Sequence, residues 1–500
     1  MSDPKERILS PERARLLLYA ILILSMAARF YHLNAPIADS HSWNQISAAT
    51  TIRNFEKYGI DFFHPRWDLL EKGHPGPRIE AEEAPIYHTL VALGATETNF
   101  VRRARFISII FGTLAGLFLF RLMRRKSDDT AALIATFFFL FGPFPFFFFR
   151  AVMSDAAMMF GIVASLFYFD RYLETPTWRD ALLAGAMLSL AGLFKPFALH
   201  AAFPMAILTF AKMRWAAFRR PELYVFAVIA LVPPLAWVGW AMHVGTLGNV
   251  TNETGTGGLT KMFGELSLLW SPRWYNILQA RVFDQMLTPV VTAMAFAALV
   301  IRSSRKQSGF FLVWFIGVAL YFAIVRMANQ EHNYYQLPAT APMAALGGIG
   351  LSAILHKLHG TKREAAAGFV LLLFAVVSML YVRPRFALEM SSHIAGKMVA
   401  AETSSSEKIV VVDPGATRKN QVLFAADREG WHFQHLKPED IQRYKDLGAK
   451  AVVLVLEDSQ QARAADTKEA LSEQATLVKR TEGAYGKDGR NHEITIYRLD

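Results

Sequence analysis

Hydrophobic residues occur along this chain in long runs that are separated by short polar segments. Eleven such runs lie between residues 16 and 382, and several approach the length needed to cross ~30 Å of hydrocarbon. A backbone that crosses lipid must satisfy its own hydrogen bonds, so each run predicts a helix. The predicted spans are 16–33, 101–121, 130–149, 155–171, 181–194, 197–211, 222–243, 286–301, 309–325, 338–355 and 365–382. The fold class is therefore a polytopic α-helical membrane protein with about 11 transmembrane helices.

Charge is distributed unevenly between the two sides of these spans. Taken alternately, the N-terminal segment and five short loops on one side contain 20 Lys and Arg residues. Basic residues are retained on the cytoplasmic side, so the N-terminus is predicted inside. The odd number of spans then places the C-terminus outside, which is the periplasm if the source is a Gram-negative bacterium. This topology and contact with anionic lipid explain the net charge of +11, so we expect membrane lipids and no nucleic acid as partners. The chain has no Cys, which excludes disulfides and thiolate metal sites.

Three long segments lie on the opposite side, at 34–100, 244–285 and 384–500. We assign the first two to a membrane domain, residues 1–383, and the third to a separate soluble domain. In the third, Ile409–Val412, Ala451–Leu456 and Ile494–Tyr497 predict strands, and Pro438–Leu447 predicts a helix that ends at Gly448. This order indicates a small α/β domain. It lacks a Gly-rich phosphate loop, so we assign it no catalysis.

The first long external segment begins with a cluster of polar residues. Ser40 or Ser42 is suited to cap a helix that runs to about Lys57. Apolar residues recur there at every third position and predict a helix lying along the membrane surface: Trp43, Ile46, Ala49, Ile52 and Phe55. His41 and Gln45 share one face of it. Asp39, at the mouth of the first span, is either a simple helix cap or a functional carboxylate.

Further charged clusters lie at the external ends of other spans. They are Glu80–His88, with Glu83 near the start of a predicted helix, Arg150–Asp155, Lys195-Pro196 and Arg326–Tyr335. Glu83 also suits a capped surface helix, and Lys195 also suits a topological anchor. Ionisable residues at membrane depth are costly, however, and by default indicate function. We expect these groups to converge on one side, as a site for an anionic lipid headgroup with a general base.

These elements resemble, in the same order, motifs of the GT-C glycosyltransferases of family 39, which include protein O-mannosyltransferases and aminoarabinose transferases. The likeness is greatest to a bacterial branch with a D-x-H-S-W-R-Q first-loop motif. Asp39–Gln45 is similar to that motif, with Asn44 in place of its Arg. Other matching elements are Glu83–Tyr87, Met153–Asp155, Gly192–Pro196, His332–Pro338 and, in the tail, Ala426–Trp431.

The resemblance implies transfer of a sugar from a polyprenyl-phosphate carrier to a lipid, glycan or protein acceptor on the periplasmic side. It implies that Asp39 is the catalytic base and that Asp155 supports the same site. From the charged clusters we add Glu83 as a third catalytic residue. The aminoarabinose transferases use the Lys of a Glu-Lys-Pro element for the lipid phosphate, and we assign that role here to Lys195. The other residues expected to bind the donor phosphate are Arg150, Arg326, His332 and Tyr335. Those expected to position the substrate are His41, Trp43, Gln45 and Tyr87.

The expected reaction is a single inverting displacement that requires no nucleotide and no metal. A divalent metal held by Asp39, His41 and Glu83 is the weaker alternative, because no compact ligand spacing demands one. Two rival functions stay open. One is a transporter or flippase for a lipid-linked sugar, although no inverted repeat is visible. The other is a non-catalytic partner in cell-envelope assembly.

Overall fold

The computed structural model describes residues 8–244, 262–415, 420–487 and 489–499. Their packing divides the chain into two compact units. Unit 1 contains the described residues through Leu33 together with Glu82–Tyr87 and Ala104–Pro384. Unit 2 contains Asn34–Ala81, His88–Arg103 and the described residues from Arg385 onward. The sequence analysis placed the whole of 34–100 with the membrane helices, whereas the structure groups most of that segment with the C-terminal region.

The described part of unit 1 consists of helices and the segments that connect them. In chain order over both units, the α-helices are α1 (Pro11–Ala28), α2 (Ser42–Tyr58), α3 (Ile86–Ala92), α4 (Phe100–Lys126), α5 (Asp129–Phe141), α6 (Pro143–Phe148), α7 (Asp155–Glu174), α8 (Trp178–Phe194), α9 (Ala202–Met213), α10 (Pro221–His243), α11 (Pro272–Gln279), α12 (Thr288–Val300), α13 (Arg305–Ile324), α14 (Arg326–Glu331), α15 (Thr340–Leu355), α16 (Gly360–Val382), α17 (Ser391–Glu402), α18 (Gln421–Ala426), α19 (Pro438–Asp446) and α20 (Ala465–Gln474). Shorter 3₁₀ turns include Pro196–Ala201 and Asn333–Ala339.

Each of the eleven predicted spans contains helix. Seven helices among the described residues are long and apolar enough to cross a membrane, or eight if Pro272–Gln285 and Thr288–Val300, which meet at a 93° bend, form one span. Asp129–Phe141 is apolar but shorter. Helix length and hydropathy therefore support a polytopic membrane protein, while the figure of about 11 crossings stays a prediction. The predicted external loop 244–285 lies partly outside the described residues.

Small residues allow the unit 1 helices to approach closely. A side chain at Gly350 of α15 would lie 1.8 Å from the carbonyl oxygen of Met294 in α12, and one at Gly348 would lie 2.5 Å from that of Ala131 in α5. In lipid, helices associate largely through such close packing, because the surrounding acyl chains are as apolar as the side chains. The Gly-rich stretch of α15 therefore places this helix against both neighbours.

Unit 2 contains a five-stranded sheet with the order β4-β3-β5-β7-β6. Its strands are β3 (Lys408–Val412), β4 (Gly430–Phe433), β5 (Ala449–Glu457), β6 (Thr476–Gly483) and β7 (His492–Arg498). The strands β4, β3 and β5 are parallel, whereas β7 is antiparallel to β5 and to β6. A two-stranded ribbon, β1 (Arg66–Trp67) with β2 (Arg78–Ile79), lies in the first-loop part of the unit.

Both faces of this sheet are covered, which explains why its central strands are apolar without alternation. Val410 and Val412 belong to one core, and Ile409 and Val411 belong to the other. The predicted strands at 409–412, 451–456 and 494–497 and the helix ending before Gly448 are confirmed, and Gly448 has the positive φ of +98° that favours glycine. The sequence analysis missed β4 and β6.

The first-loop helix α2 packs against the tail in unit 2. Lys57 and Arg53 of α2 form ion pairs with Asp427, which follows α18, and Arg53 also pairs with Asp68. The predicted apolar stripe is buried in the protein, with Ala49 and Ile52 both 0% exposed, so the predicted helix along the membrane surface is wrong. The predicted Ser cap is wrong as well, because the N-cap residue is His41 and no side chain caps the helix there.

Candidate active site

Lys195 lies buried in unit 1 at the junction of two helical segments. Helix α8 ends at Phe194, and Lys195 is extended, with φ −151° and ψ 116°. Extended geometry is the expected one because the next residue, Pro196, clashes with a helical conformation of its predecessor. The side chain of Lys195 is 7% exposed. The sequence therefore places an ammonium group inside the protein at the point where one helix must stop.

Two carboxylates face this ammonium group. Lys195 Nζ lies 2.5 Å from Glu83 Oε1 and 3.5 Å from Asp155 Oδ2. Asp155 is the first residue of α7, where the positive end of the helix dipole favours an anion. Glu83 is held nearby because the backbone N–H of Ala84 donates to the carbonyl of Leu193 at 3.0 Å. Three residues from separate parts of the sequence thus form one buried cluster, which we call the Lys195 cluster.

Ser154 completes the Lys195 cluster. Its hydroxyl donates to Glu83 Oε2 at 2.5 Å, so each oxygen of Glu83 has a donor. Neither oxygen of Asp155 has a hydrogen-bond partner among the described residues, although the residue is 0% exposed. The 3.5 Å ion pair with Lys195 is too long for a strong hydrogen bond. Asp155 therefore keeps acceptor capacity in a buried place.

The charges of the Lys195 cluster do not balance. Burial disfavours the ammonium form of Lys195, but the nearby carboxylates of Asp155 and Glu83 outweigh it and raise the pKa of Lys195 above its ordinary value. With both acids ionised, two negative charges face one positive charge. Glu83 is the more accessible acid, because its side chain is 25% exposed whereas that of Asp155 is 0% exposed. Of the two acids that carry the surplus negative charge, Glu83 is therefore the one that can contact solvent.

Aromatic rings form a wall beside the cluster. Lys195 Nζ lies 5.5 Å from the ring centre of Tyr334, a distance suited to a cation–π interaction. Tyr334 stacks on Tyr335 at 4.7 Å and on His332 at 5.5 Å, and Tyr335 lies 4.9 Å from Phe197. The structure therefore brings His332 and Tyr335, two of the predicted donor-binding residues, to the surroundings of Lys195.

Two other predicted cations have backbone partners elsewhere in unit 1. Arg150 is 0% exposed and donates to the carbonyl of His32 at 3.0 Å. Arg326 donates to the carbonyls of Gly264 at 2.8 Å and Glu265 at 2.7 Å. Carbonyl oxygens at chain turns need donors when they are buried, and these guanidinium groups supply them. Arg150 and Arg326 therefore anchor the backbone at these turns.

Tyr87 also has structural partners. It is 0% exposed, and its hydroxyl donates to the carbonyl of Ala104 at 2.9 Å and is paired with Ser108. Burial raises the pKa of this hydroxyl well above its ordinary value. These contacts fix the start of α3 against α4 and leave a role in substrate positioning without support from its geometry.

The first-loop motif belongs to unit 2. Asp39 is 3% exposed, and its Oδ1 accepts a hydrogen bond from Gln45 Nε2 at 2.6 Å. Gln45 is itself 0% exposed, so its hydrogen bond to Asp39 is shielded from water. His41 adopts a left-handed conformation with φ +55°, and the half-buried Trp43 follows it in the first turn of α2. Gln45 therefore holds Asp39.

No group of three His, Asp or Glu side chains arranged to hold a metal ion occurs in the part of the chain that the structure describes. Two residues of the Lys195 cluster and its surroundings were missed by the sequence analysis, namely Ser154 and Tyr334. Ser154 precedes Asp155 and Tyr334 precedes Tyr335, so adjacency to predicted site residues was the signal that could have identified them.

The chain was compared with known protein families, curated sequences and solved structures. Residues 84–240 match the family model described as dolichyl-phosphate-mannose-protein mannosyltransferase. The matched region contains Asp155 and Lys195, while Glu83 lies just before it. No curated protein sequence matches the chain significantly.

Solved structures resemble the whole chain. ArnT from Cupriavidus metallidurans bound to undecaprenyl phosphate has a TM-score of 0.65 at 13% identity, over 96% of this chain and 98% of that chain. Its apo state gives a TM-score of 0.67 at 13% identity, over 98% of each chain. The oligosaccharyltransferase of Archaeoglobus fulgidus, tethered to an acceptor peptide, gives 0.53 at 12% identity, over 93% of this chain and 72% of that chain. The chain therefore shares the fold of these structures, and its residues 84–240 match the mannosyltransferase family model, as expected from its resemblance to the GT-C glycosyltransferases of family 39.

Proposed function

We propose that this protein is a membrane glycosyltransferase that moves a sugar from a polyprenyl-phosphate donor to an acceptor. The observation that carries the proposal is the buried Lys195 ammonium group, which faces Glu83 and Asp155 and lies beside an aromatic wall. A buried ion pair with surplus acid contributes little to stability and is more readily explained by function. The fold shared with an ArnT bound to undecaprenyl phosphate supports a lipid-phosphate donor.

In this proposal Lys195 binds the donor phosphate. A Lys ammonium group is a compact positive charge with three donors, and in the structure Glu83 accepts one of them within 2.5 Å. When the phosphate approaches, the more exposed Glu83 moves aside and the phosphate oxygen takes its place on Lys195. Tyr335 and His332, which lie on the same aromatic wall, border the donor. Arg150 and Arg326 act instead through the backbone turns that they hold.

The reaction is one displacement. The oxygen of the acceptor forms a bond to the anomeric carbon of the sugar while the bond from that carbon to the phosphate oxygen breaks. The acceptor's proton passes to Asp39 as general base, and polyprenyl phosphate leaves as an anion that Lys195 stabilises. Asp155, which retains open acceptor positions, holds a hydroxyl of the sugar or the acceptor. Chemistry of this kind inverts the anomeric configuration and uses no nucleotide and no metal.

The location follows from the same proposal. The Lys- and Arg-rich loops face the cytoplasm, and the reaction takes place on the periplasmic side of a bacterial inner membrane. The acceptor belongs to one of three classes, namely lipid, glycan or protein.

The test uses the full chain, purified and placed in lipid nanodiscs. Undecaprenyl phosphate linked to mannose, glucose or aminoarabinose is added with and without a bacterial envelope lipid extract, and free undecaprenyl phosphate is measured. Release of undecaprenyl phosphate that depends on the linked sugar and increases when the extract is present supports the transferase. Movement of intact donor between the leaflets of liposomes without release would instead support a flippase, and neither release nor movement would favour the assembly partner.

Asp39→Asn tests the base. We expect release to fall by about 10²-fold or more, while undecaprenyl phosphate binds as before, because only proton transfer is removed. Asp61→Asn is the matched control, since Asp61 lies in the same loop and its side chain is 59% exposed. Turnover by Asp39→Asn close to that of the control would refute the assignment of Asp39.

A further inference from the structure

The carboxylate of Asp39 and the adjacent backbone both accept hydrogen bonds from the side chain of Gln45. Gln45 Nε2 donates to Asp39 Oδ1 at 2.6 Å and to the carbonyl oxygen of Ser40 at 3.0 Å. Both partners are acceptors only, so the amide nitrogen of Gln45, and not its oxygen, must face them. The amide has two N–H donors, and each therefore has a fixed direction.

The backbone brings Gln45 to this position. The left-handed conformation of His41 turns the chain so that the N–H of Ser42 donates to the carbonyl of Asp39 at 3.1 Å. Gln45 follows in the first turn of α2, where its own N–H donates to the carbonyl of His41 at 3.1 Å. A left-handed conformation is uncommon for a residue other than glycine and is kept where the surrounding structure demands it. Asp39 and Gln45 are thereby folded onto each other.

The tail fixes the main chain on both sides of Asp39. The N–H of Ser40 donates to the carbonyl of Arg385 at 3.0 Å, and the N–H of Glu389 donates to the carbonyl of Ala38 at 2.7 Å. A further side-chain bond joins Gln421 to Ser42. All of these residues belong to unit 2, in which the first-loop and tail segments pack as one body. Asp39 is thus fixed through its backbone by 385–389 and through its carboxylate by Gln45.

We propose that Gln45 is the positioning residue of the catalytic base, with the 385–389 segment as its backbone support. This inference rests on the proposed function, in which Asp39 takes the acceptor's proton. A hydrogen bond to Oδ1 fixes the rotation of the carboxylate, which determines where Oδ2 points. A base must meet its proton at hydrogen-bond distance, and small displacements of a reacting group reduce rate strongly. The inference also gives the tail a function, which is to keep the base in place.

Gln45→Met removes the donor and keeps the length of the side chain. With the undecaprenyl-phosphate sugar that gives the fastest release, we expect kcat to fall about 10- to 100-fold, the effect of losing one hydrogen bond to a charged group. The Kd of undecaprenyl phosphate should stay within about twofold, because the variant changes no group assigned to the phosphate. Gln442→Met, at an exposed position of α19, is the control and should match the unmodified protein.

The decisive measurement is the double variant Asp39→Asn with Gln45→Met. If Gln45 acts through Asp39, adding Gln45→Met to Asp39→Asn should lower the residual rate by less than about twofold, because residues that act as a unit are not additive. If Gln45→Met caused a purely structural defect, it would lower the residual rate by the same factor as it lowers kcat in the otherwise unmodified protein. If Gln45→Met does not fold, Gln45→Asn, whose amide is one methylene too short to reach Asp39, is measured in the same way.

The outcomes separate the two proposals. An Asp39→Asn variant with near-normal turnover overturns the assignment of the base and this inference together. An inactive Asp39→Asn variant beside a Gln45→Met variant with unchanged kcat, or full additivity in the double variant, overturns this inference and leaves the proposed function standing.

Discussion

Lys195→Met separates the stabilising role of Lys195 from its role in binding. Methionine preserves the unbranched length of the side chain but removes the ammonium group, so Glu83 and Asp155 lose their shared cation. We expect the variant to be less stable and unable to bind undecaprenyl phosphate. Adding Glu83→Gln should restore much of the stability, because it removes one of the two unpaired charges, but it should restore none of the binding.

The size of the stability effect follows from the geometry. With an effective dielectric constant of about 20, unit charges 2.5 Å and 3.5 Å apart attract by about 7 and about 5 kcal/mol. Desolvation of the buried Lys195 and Asp155 and of the partly exposed Glu83 cancels most of this attraction, so the net contribution of the intact cluster is small. Removal of the cation alone leaves both acids uncompensated, and breaking a buried ion pair in this way typically costs about 3–5 kcal/mol. The largest part of that cost falls on Asp155, because it is 0% exposed.

Thermal unfolding in nanodiscs measures the loss of stability, and titration with undecaprenyl phosphate measures the loss of binding. Lys306→Met is the matched control, because Lys306 is exposed near the start of α13. It should leave both the unfolding temperature and the Kd unchanged. Lys195→Met should lower the unfolding temperature by several degrees, and the double variant should recover at least half of that decrease.

Two results would contradict the reasoning. If Lys195→Met unfolds at the temperature of the control, the three charges are not coupled in the way that their distances indicate. If the double variant binds undecaprenyl phosphate normally, a cation other than Lys195 holds the phosphate, and the assignment of the donor site is lost.

Two further predictions concern the fold. Gly350→Ala should abolish stable expression or lower the unfolding temperature markedly, because its Cβ would lie 1.8 Å from a backbone oxygen of α12. Gly368→Ala is the control. A Cβ at Gly368 would have no neighbour within 4 Å, so this variant should be neutral or more stable by about 0.5–1 kcal/mol. Equal unfolding temperatures for the two variants would refute the packing argument. In unit 2, hydrogen bonds from Arg498 lower the pKa of Glu407 below its ordinary value of 4.5, so its contribution is present above that pH and is lost as the pH falls below it. Glu407→Gln should therefore flatten the acid side of the pH–stability curve, measured by hydrogen exchange of β3 peptides, and a curve of unchanged slope would contradict it.

The membrane helices could be predicted because lipid imposes one solution on an apolar run. Each of the eleven runs contains helix, and the charged residues at the ends that we predicted to be external include the Lys195 cluster. Lys195 was identifiable for a physical reason: a cation between two apolar segments has little access to water and needs a local partner. Its partner Glu83, 112 residues away, could be suggested by the sequence but not paired with it.

Other features depend on tertiary contacts that no local pattern encodes. Arg150 and Arg326 have the composition of phosphate ligands, yet their donors are used by backbone carbonyls at turns. Strand β6 was missed because its residues are largely exposed, which gives it no apolar pattern. The apolar stripe of α2 was read as facing lipid, but a stripe buried against protein has the same sequence signature.

The tail motif Ala426–Trp431 resembles the family motif, and the contacts of its residues are structural. Asp427 pairs with Arg53 and Lys57 of the first-loop helix, and Arg428 donates to the carbonyl of Thr403 at 2.6 Å. At Gly430, a side chain would lie 1.9 Å from the carbonyl oxygen of Ile409 in the neighbouring strand. None of these contacts needs a substrate. Each joins the tail to the loop or holds the tail's own sheet together, which is the support that our proposal for Asp39 requires. Such contacts make the tail as necessary to the proposed reaction as the membrane helices, because a base on a loose loop would meet its proton only rarely.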